Sequence, residues 1–218
     1  MSCISCKKLW SIPALEWLLI LMTITLGLLW TSCNEDRPLR TLPVYGMQDE
    51  QNKSNHTIAP FSFIDQNGDT VTDKDYSNKI YVTDFFFTTC RSICPVMTTQ
   101  MQRVFEHYKS NPDVMFLSYS VNPEYDTPAV LKEYADKHHA DAKKWHFVTG
   151  DKQKIYDLAR ISYLVTATKG DGGPDDFVHT QNFALIDKEK RIRGYYDGTD
   201  STDVNKLITE IDLLLREY

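Results

Sequence analysis

The order of apolar and polar positions divides the chain into alternating strands and helices. Phe61–Asp65 and Thr70–Thr72 flank Gln66-Asn67-Gly68-Asp69, and an Asn-Gly step between two short apolar runs predicts a β-hairpin. Lys79–Phe87 (KIYVTDFFF) is β-branched and aromatic almost throughout, the pattern of a strand covered on both faces. From Pro95 to Tyr108, Val96, Met97, Met101, Val104, Phe105 and Tyr108 recur at helical spacing. Val114–Val121 predicts the next strand, and Asp126-Thr127-Pro128 caps a helix that runs to about His139. A short strand follows at Trp145–Val148, a helix at Lys152–Ile161, a hairpin from Asn182–Ile186 and Ile192–Tyr196, and a last amphipathic helix over Asp203–Arg216. The order ββ-βαβαβα-ββα implies an α/β fold with a mixed central sheet flanked by helices, to which the first hairpin is an N-terminal addition.

The segment before residue 57 follows another rule. Lys7, Lys8 and Glu16 precede 17 uncharged residues, Trp17–Cys33. A spanning helix needs about 20 apolar residues, with a lower limit near 17, so the run is marginal as a permanent anchor and fits an export-signal core. It closes on Thr31-Ser32-Cys33, a cysteine behind small residues, which resembles a bacterial lipoprotein signal with Cys33 as the lipidated residue; Trp30 departs from that pattern. Residues 1–33 are therefore expected to be a signal peptide and lipoprotein anchor, with an uncleaved N-terminal helix as the alternative. Either places the body on the extracytoplasmic, periplasmic side of a bacterial membrane. Residues 34–56 are polar and aperiodic and read as a linker, leaving residues 57–218 as the folded domain.

Composition narrows the function. The 218 residues are 42% hydrophobic and 12% aromatic, enough for a packed core. The net charge of −6 argues against nucleic acid as a partner. Five cysteines are too few for a disulfide scaffold at this length, and they are unevenly placed: Cys3, Cys6 and Cys33 in the leader, then Cys90 and Cys94 alone in the body. Cys3 and Cys6 have the spacing of a redox motif but lie outside any strand–helix unit.

Cys90-Arg91-Ser92-Ile93-Cys94-Pro95 stands where the first long strand gives way to the first long helix, at the sheet edge where α/β proteins place ligands. Pro95 suits the first helical position, which makes Cys94 the expected N-cap, and the helix N-terminus raises thiolate character at one or both sulfurs. The pair can close a disulfide or hold a soft ion. Thiolates suit Cu(I), and imidazole is a suitable third ligand. Of the six histidines, His56, His107, His138, His139 and His146 have structural or solvated settings. His179 ends the Gly-rich acidic loop Lys169–Asp176 and precedes a strand, as a gate over a site would. Asp84, six residues before Cys90, is a carboxylate in an apolar strand, either at an exposed edge or buried, with a raised pKa, as proton acceptor for the thiols.

The combination of strand, CxxxCP, helix and a distant loop histidine before a hairpin resembles the Sco/SenC family of copper-binding assembly factors. The matching stretches are Asp84–Cys90, Cys94–Met97, Ser120–Pro128, Thr149-Gly150, Val178-His179-Thr180 and Leu185–Asp187, spread over residues 57–218. The resemblance implies a thioredoxin-like fold and one copper, Cu(I) or Cu(II), per chain, held by Cys90, Cys94 and His179. It also implies a role in maturing the dinuclear copper site of cytochrome c oxidase. The implied partners are the copper-site subunit of the oxidase or another copper carrier, and a thiol–disulfide reductant. Arg91, Asn122 and Phe177-Val178 depart from residues common in the family, the last removing a carboxylate for which Asp175 or Asp176 is the candidate substitute. A second reading uses Cys90 and Cys94, with Asp84, as an extracytoplasmic thiol–disulfide oxidoreductase that needs no histidine.

Overall fold

A computed structural model describes residues 41–47, 54–165 and 180–218. Strands β1 (Ser62–Asp65), β2 (Thr70–Thr72), β3 (Ile80–Phe86), β4 (Val114–Ser120), β5 (Trp145–Thr149), β6 (Asn182–Ile186) and β7 (Ile192–Asp197) form one sheet in the order β2-β1-β5-β4-β3-β6-β7. The central β5-β4-β3 strands are parallel, while β1 on one side and β6 on the other run antiparallel to them, and the edge strands β2 and β7 pair antiparallel with β1 and β6. Helices α1 (Ile93–Tyr108), α2 (Pro128–Lys137), α3 (Lys152–Asp157) and α4 (Ser201–Arg216) join them. This is the mixed sheet with an N-terminal hairpin that the apolar pattern predicts.

The doubly covered strand is β3. Its alternate residues Ile80, Val82 and Phe86 enter one core with Met97, Met101, Val104 and Phe105 of α1 and Val204, Leu207, Ile211 and Leu214 of α4. Tyr81 and Phe85 face the other core, with Tyr119, Tyr163 and Ile155. Each such side chain contributes about 1.5–3 kcal/mol when fully buried, so the strand that leads into Cys90 is held from both faces. The hairpin turns on Gly68, whose φ of +84° suits glycine, while the Asp65 carboxylate accepts the N–H groups of Asn67 (2.8 Å) and Asp69 (2.9 Å).

Three local features differ from the sequence pattern. α1 begins at Ile93 with Ser92 before it, so Cys94 lies inside the first turn rather than at its cap, and Pro95 is the third helical residue. Proline lacks an N–H, and every first-turn N–H is without an intrahelical partner, so Pro95 marks the turn and not its first position. The helix expected over Lys152–Ile161 changes to a π-helical turn at Leu158–Ser162, closed by Tyr163 N–H donating to Leu158 O at 3.0 Å. At α2, Thr127 is the cap, its hydroxyl accepting from Val130 N–H (3.4 Å) with Pro128 behind it, and this leaves Asp126 free to turn inward.

Within the stretch expected to be linker, residues 41–47 lie on the body. Leu42 is buried in the α1/α4 core, its N–H donating to Glu217 Oε1 (3.0 Å), and Tyr45 N–H donates to Ile192 O (2.9 Å). Arg193, 3% exposed, donates to the carbonyls of Leu42 (2.8 Å) and Pro43 (3.1 Å). Among the described residues no helix is long and apolar enough to cross a membrane. Cys3, Cys6 and Cys33 lie outside the described residues.

Candidate metal centre

β3 delivers Cys90 to the C-terminal edge of the parallel strands, and α1 starts three residues later at Ile93, with Cys94 its second residue. The turn is closed by Cys90 N–H donating to Phe87 O at 3.2 Å. Both cysteines are free thiols, Cys90 half-buried and Cys94 4% exposed. Partial burial disfavours the Cys90 thiolate. Hydrogen bonds outweigh it, from the Cys94 thiol, the Cys94 and Ser92 backbone N–H groups and the Ser92 hydroxyl (3.7 Å), and bring the Cys90 pKa down to about 7. Burial, reinforced by donating to Cys90, pushes Cys94 up to about 12 against a backbone hydrogen bond from Phe87. The helix start thus activates one sulfur, Cys90, and makes the other its donor. Each thiol is among the groups that set the other's acidity, as expected of a pair four residues apart that could share one soft ion or close a disulfide.

Behind Cys94 the packing is polar as well as apolar. Thr98 Oγ1 donates to Cys94 O (2.9 Å) and lies 2.7 Å from Tyr134 Oη. Asp84 is on this face of β3, between β4 and β6 and 2% exposed, so the exposed-edge alternative is overturned. Burial lifts its pKa to about 7, against a hydrogen bond from Ser118 Oγ to Asp84 Oδ1 (2.5 Å); Trp145 Nε1 donates in turn to Ser118 Oγ (2.9 Å). Its negative charge is one of the groups that hold the Cys94 thiol up.

Four histidines have packing or hydrogen-bond partners that account for them. His56 Nε2–H donates to Ser162 O (2.7 Å), His146 shares a hydrogen bond with Tyr76 Oη (2.7 Å), and the rings of His107 and His138 rest on Tyr108 and Tyr134. His179 lies outside the described residues, as do Asp175 and Asp176. The strand that follows it is described: β6 is antiparallel to β3, with Thr83 opposite Ala184, so Asn182 enters the sheet from the cysteine edge. Among the described residues no cluster of three His, Cys, Asp or Glu forms a metal site. The donors present, the free thiols of Cys90 and Cys94, have the soft chemistry that Cu(I) prefers.

One residue at this edge was missed by the sequence pattern, which assigned it to a helix cap. The Asp126 carboxylate is fully buried and accepts from Ser120 Oγ (2.5 Å), Thr88 N–H (3.2 Å) and the Thr88 hydroxyl. The signal was Asp126-Thr127, two capping residues in a row where a helix uses one.

The SCO1/SenC family model matches residues 49–215. The chain belongs to the SCO1/SenC family. Three solved structures of family members show how closely the fold is kept. A SCO1/SenC family lipoprotein from Bacillus anthracis str. Ames is 30% identical with a TM-score of 0.66, over 73% of this chain and 95% of that one. BsSco, a member of the Sco family of cytochrome c oxidase assembly proteins in which a disulfide switch has been identified, is 30% identical with a TM-score of 0.63, over 73% and 94%. Arabidopsis thaliana ScoI, solved with copper bound, is 30% identical with a TM-score of 0.59, over 73% and 98%. The fold is the thioredoxin-like one of these SCO1/SenC proteins, and the β3–Cys90–α1 unit lies within the family match.

Proposed function

We propose that the chain is a copper metallochaperone that takes one copper ion between Cys90, Cys94 and His179 and serves the dinuclear copper site of cytochrome c oxidase. The observation that carries this reading is the pair of free thiols, Cys90 and Cys94, where β3 gives way to α1, in a family whose Arabidopsis thaliana member has been solved with copper bound. Copper is the cargo. Two soft sulfurs and an imidazole hold Cu(I) well and tolerate Cu(II), and a three-ligand site leaves copper open to exchange with an acceptor's ligands. Loading requires both thiols to lose their protons. Cys90 gives its proton up near pH 7, whereas the Cys94 proton needs an acceptor, and Asp84, buried on the same face, takes that role.

The same sulfurs support a second reading, favoured by the disulfide switch of BsSco. The Cys90 thiolate attacks a partner's disulfide, forming a mixed disulfide and releasing one partner thiol. Cys94 then attacks Cys90, freeing the second partner thiol; the partner gains two electrons and the pair closes as Cys90–Cys94. In this role the chain prepares the thiols of a copper-site subunit before copper arrives, and a separate reductant reopens the pair.

Residues 1–33 would serve as signal and anchor, through lipidated Cys33 or an uncleaved helix, with residues 34–56 as tether and 57–218 as the domain. The body would then stand on the extracytoplasmic face of a bacterial membrane, as a lipoprotein relative does. Titrating reduced protein with copper while recording absorption separates the two readings. Thiolate-to-Cu(II) charge-transfer bands saturating at one copper per chain support the chaperone. Absence of those bands, with fast reduction of a disulfide substrate, overturns it in favour of the oxidoreductase.

A further inference from the structure

We propose that Asp126 is the positioning residue of the copper and redox site, setting where Cys90 sits relative to Cys94. The inference rests on the reading that these two cysteines carry the chemistry. The two sulfurs are fixed by different means. Cys94 belongs to α1, whose backbone ladder and buried Met97 and Met101 hold it. Cys90 lies in the turn between β3 and α1, where that ladder does not reach. The turn is closed by Cys90 N–H on Phe87 O (3.2 Å), and within it Thr88, two residues before Cys90, is held by Asp126 through both its backbone N–H and its hydroxyl.

Asp126 is itself rigid. Ser120 Oγ, at the end of β4, donates to Oδ2 (2.5 Å), the oxygen that also accepts Thr88 N–H, and accepts Asn122 N–H (3.1 Å), and Asp126 N–H donates to Asn122 O (2.9 Å). The carboxylate is 0% exposed, yet none of the ion pairs found among the described residues includes it. An uncompensated buried acid is costly, and an amide or an apolar side chain would brace two loops at less cost. A carboxylate is what the site requires because both its oxygens only accept, so three donors converge on it with one arrangement and no competing rotamer. Asp126 therefore converts the fixed end of β4 into a fixed position for Cys90. It touches neither sulfur and acts through Thr88.

The test uses Thr88→Val, which deletes one donor to Asp126, Thr88→Ser, which keeps it, and Asp126→Asn. Cu(I) affinity is measured by competition with a chelating indicator. The equilibrium constant for closing the Cys90–Cys94 disulfide is measured against glutathione, which reads the effective concentration of one thiol at the other. Hydrogen-bond partners of a metal ligand typically change affinity by about 10–100-fold, and a residue at a further remove, as Asp126 is, belongs at or below the lower end of that range. Asp126→Asn is expected to lower both constants about tenfold and Thr88→Val about threefold to tenfold, with Thr88→Ser within about twofold of wild type. If Thr88→Val and Asp126→Asn only melt at lower temperature, with both constants unchanged in the folded protein, Asp126 is a brace and the inference is wrong. Should Asp126→Asn not fold, the Thr88 pair decides alone. Should the wild-type chain bind no copper, the chaperone reading fails, and the glutathione constants still decide whether Asp126 positions Cys90.

Discussion

The two ends of the central sheet each bury an aspartate and treat it in opposite ways. At the end away from the cysteines, in the turn between β6 and β7, Asp187 is fully buried and doubly neutralised, by Arg191 Nε (2.7 Å) and Arg193 Nη1 (3.1 Å). Arg193 also grips Glu217 (2.7 Å) and the carbonyls of Leu42 and Pro43, so this end ties down the entry segment and the C-terminus with compensated charge. At the cysteine end Asp126 and Asp84 have hydroxyl and amide donors and, among the described residues, no ion pair to a guanidinium or ammonium. The difference separates fastening from function. Arg91 follows Cys90 in the chain but is not among the groups that lower its pKa; uncharged hydrogen-bond donors do so, and Cys90 and Cys94 differentiate through each other, at about 7 and about 12.

The largest effect that can break this comparison is at the fastening end. Arg193→Met leaves Asp187 with one guanidinium, that of Arg191, and Glu217 with the Leu42 N–H in place of an ion pair to Arg193. It should cost about 3–5 kcal/mol in urea unfolding, while copper affinity in the folded protein stays within about twofold. Equal loss of both would show that the ends are not independent.

Next is the pH response of Asp84. Its folded pKa is raised from 3.8 to about 7, so between those values the folded state keeps a proton that the unfolded state has released. Stability contributed in this way is complete below about pH 4, declines as pH rises towards 7 and is gone above it, by at most about 4 kcal/mol for roughly three units. Asp84→Asn should flatten that part of the unfolding profile; an unchanged slope would mean that Asp84 is not the titrating group.

The smallest effect sharpens the cysteine end itself. Alkylation of Cys90, followed by mass spectrometry, should show a midpoint near pH 7, with Cys94 protected in the folded protein. Cys94→Ala removes a donor and should move the Cys90 midpoint up by about one unit, equivalent to about 1.4 kcal/mol. A midpoint that stayed put would mean that the Cys94 thiol does not set Cys90's acidity.

What the sequence disclosed and what it hid follow from the range of the interactions. β3, α1 and the β6–β7 hairpin were legible because each is written in a local period, and the cysteines because their spacing falls on a strand–helix junction. Cys94 at the cap was an overreading of Pro95, which reports the first turn without fixing its register. The burial of Asp84 was only half legible, since a lone acid in an apolar strand is the same string whether a neighbouring strand covers it or not. Asp126 was hidden because its partner Thr88 is 38 residues away, and the grip of Arg193 on Leu42 because the two are 151 residues apart.

The central claim is a three-ligand site in which His179 distinguishes copper carriage from dithiol exchange. The most direct measurement is Cu(I) affinity of the reduced full-length chain and of His179→Ala, alongside the glutathione equilibrium of the Cys90–Cys94 pair. The account predicts that His179→Ala binds copper at least about tenfold more weakly, the loss of one of three ligands, while the glutathione equilibrium stays within about twofold. Unchanged copper affinity in His179→Ala would contradict it.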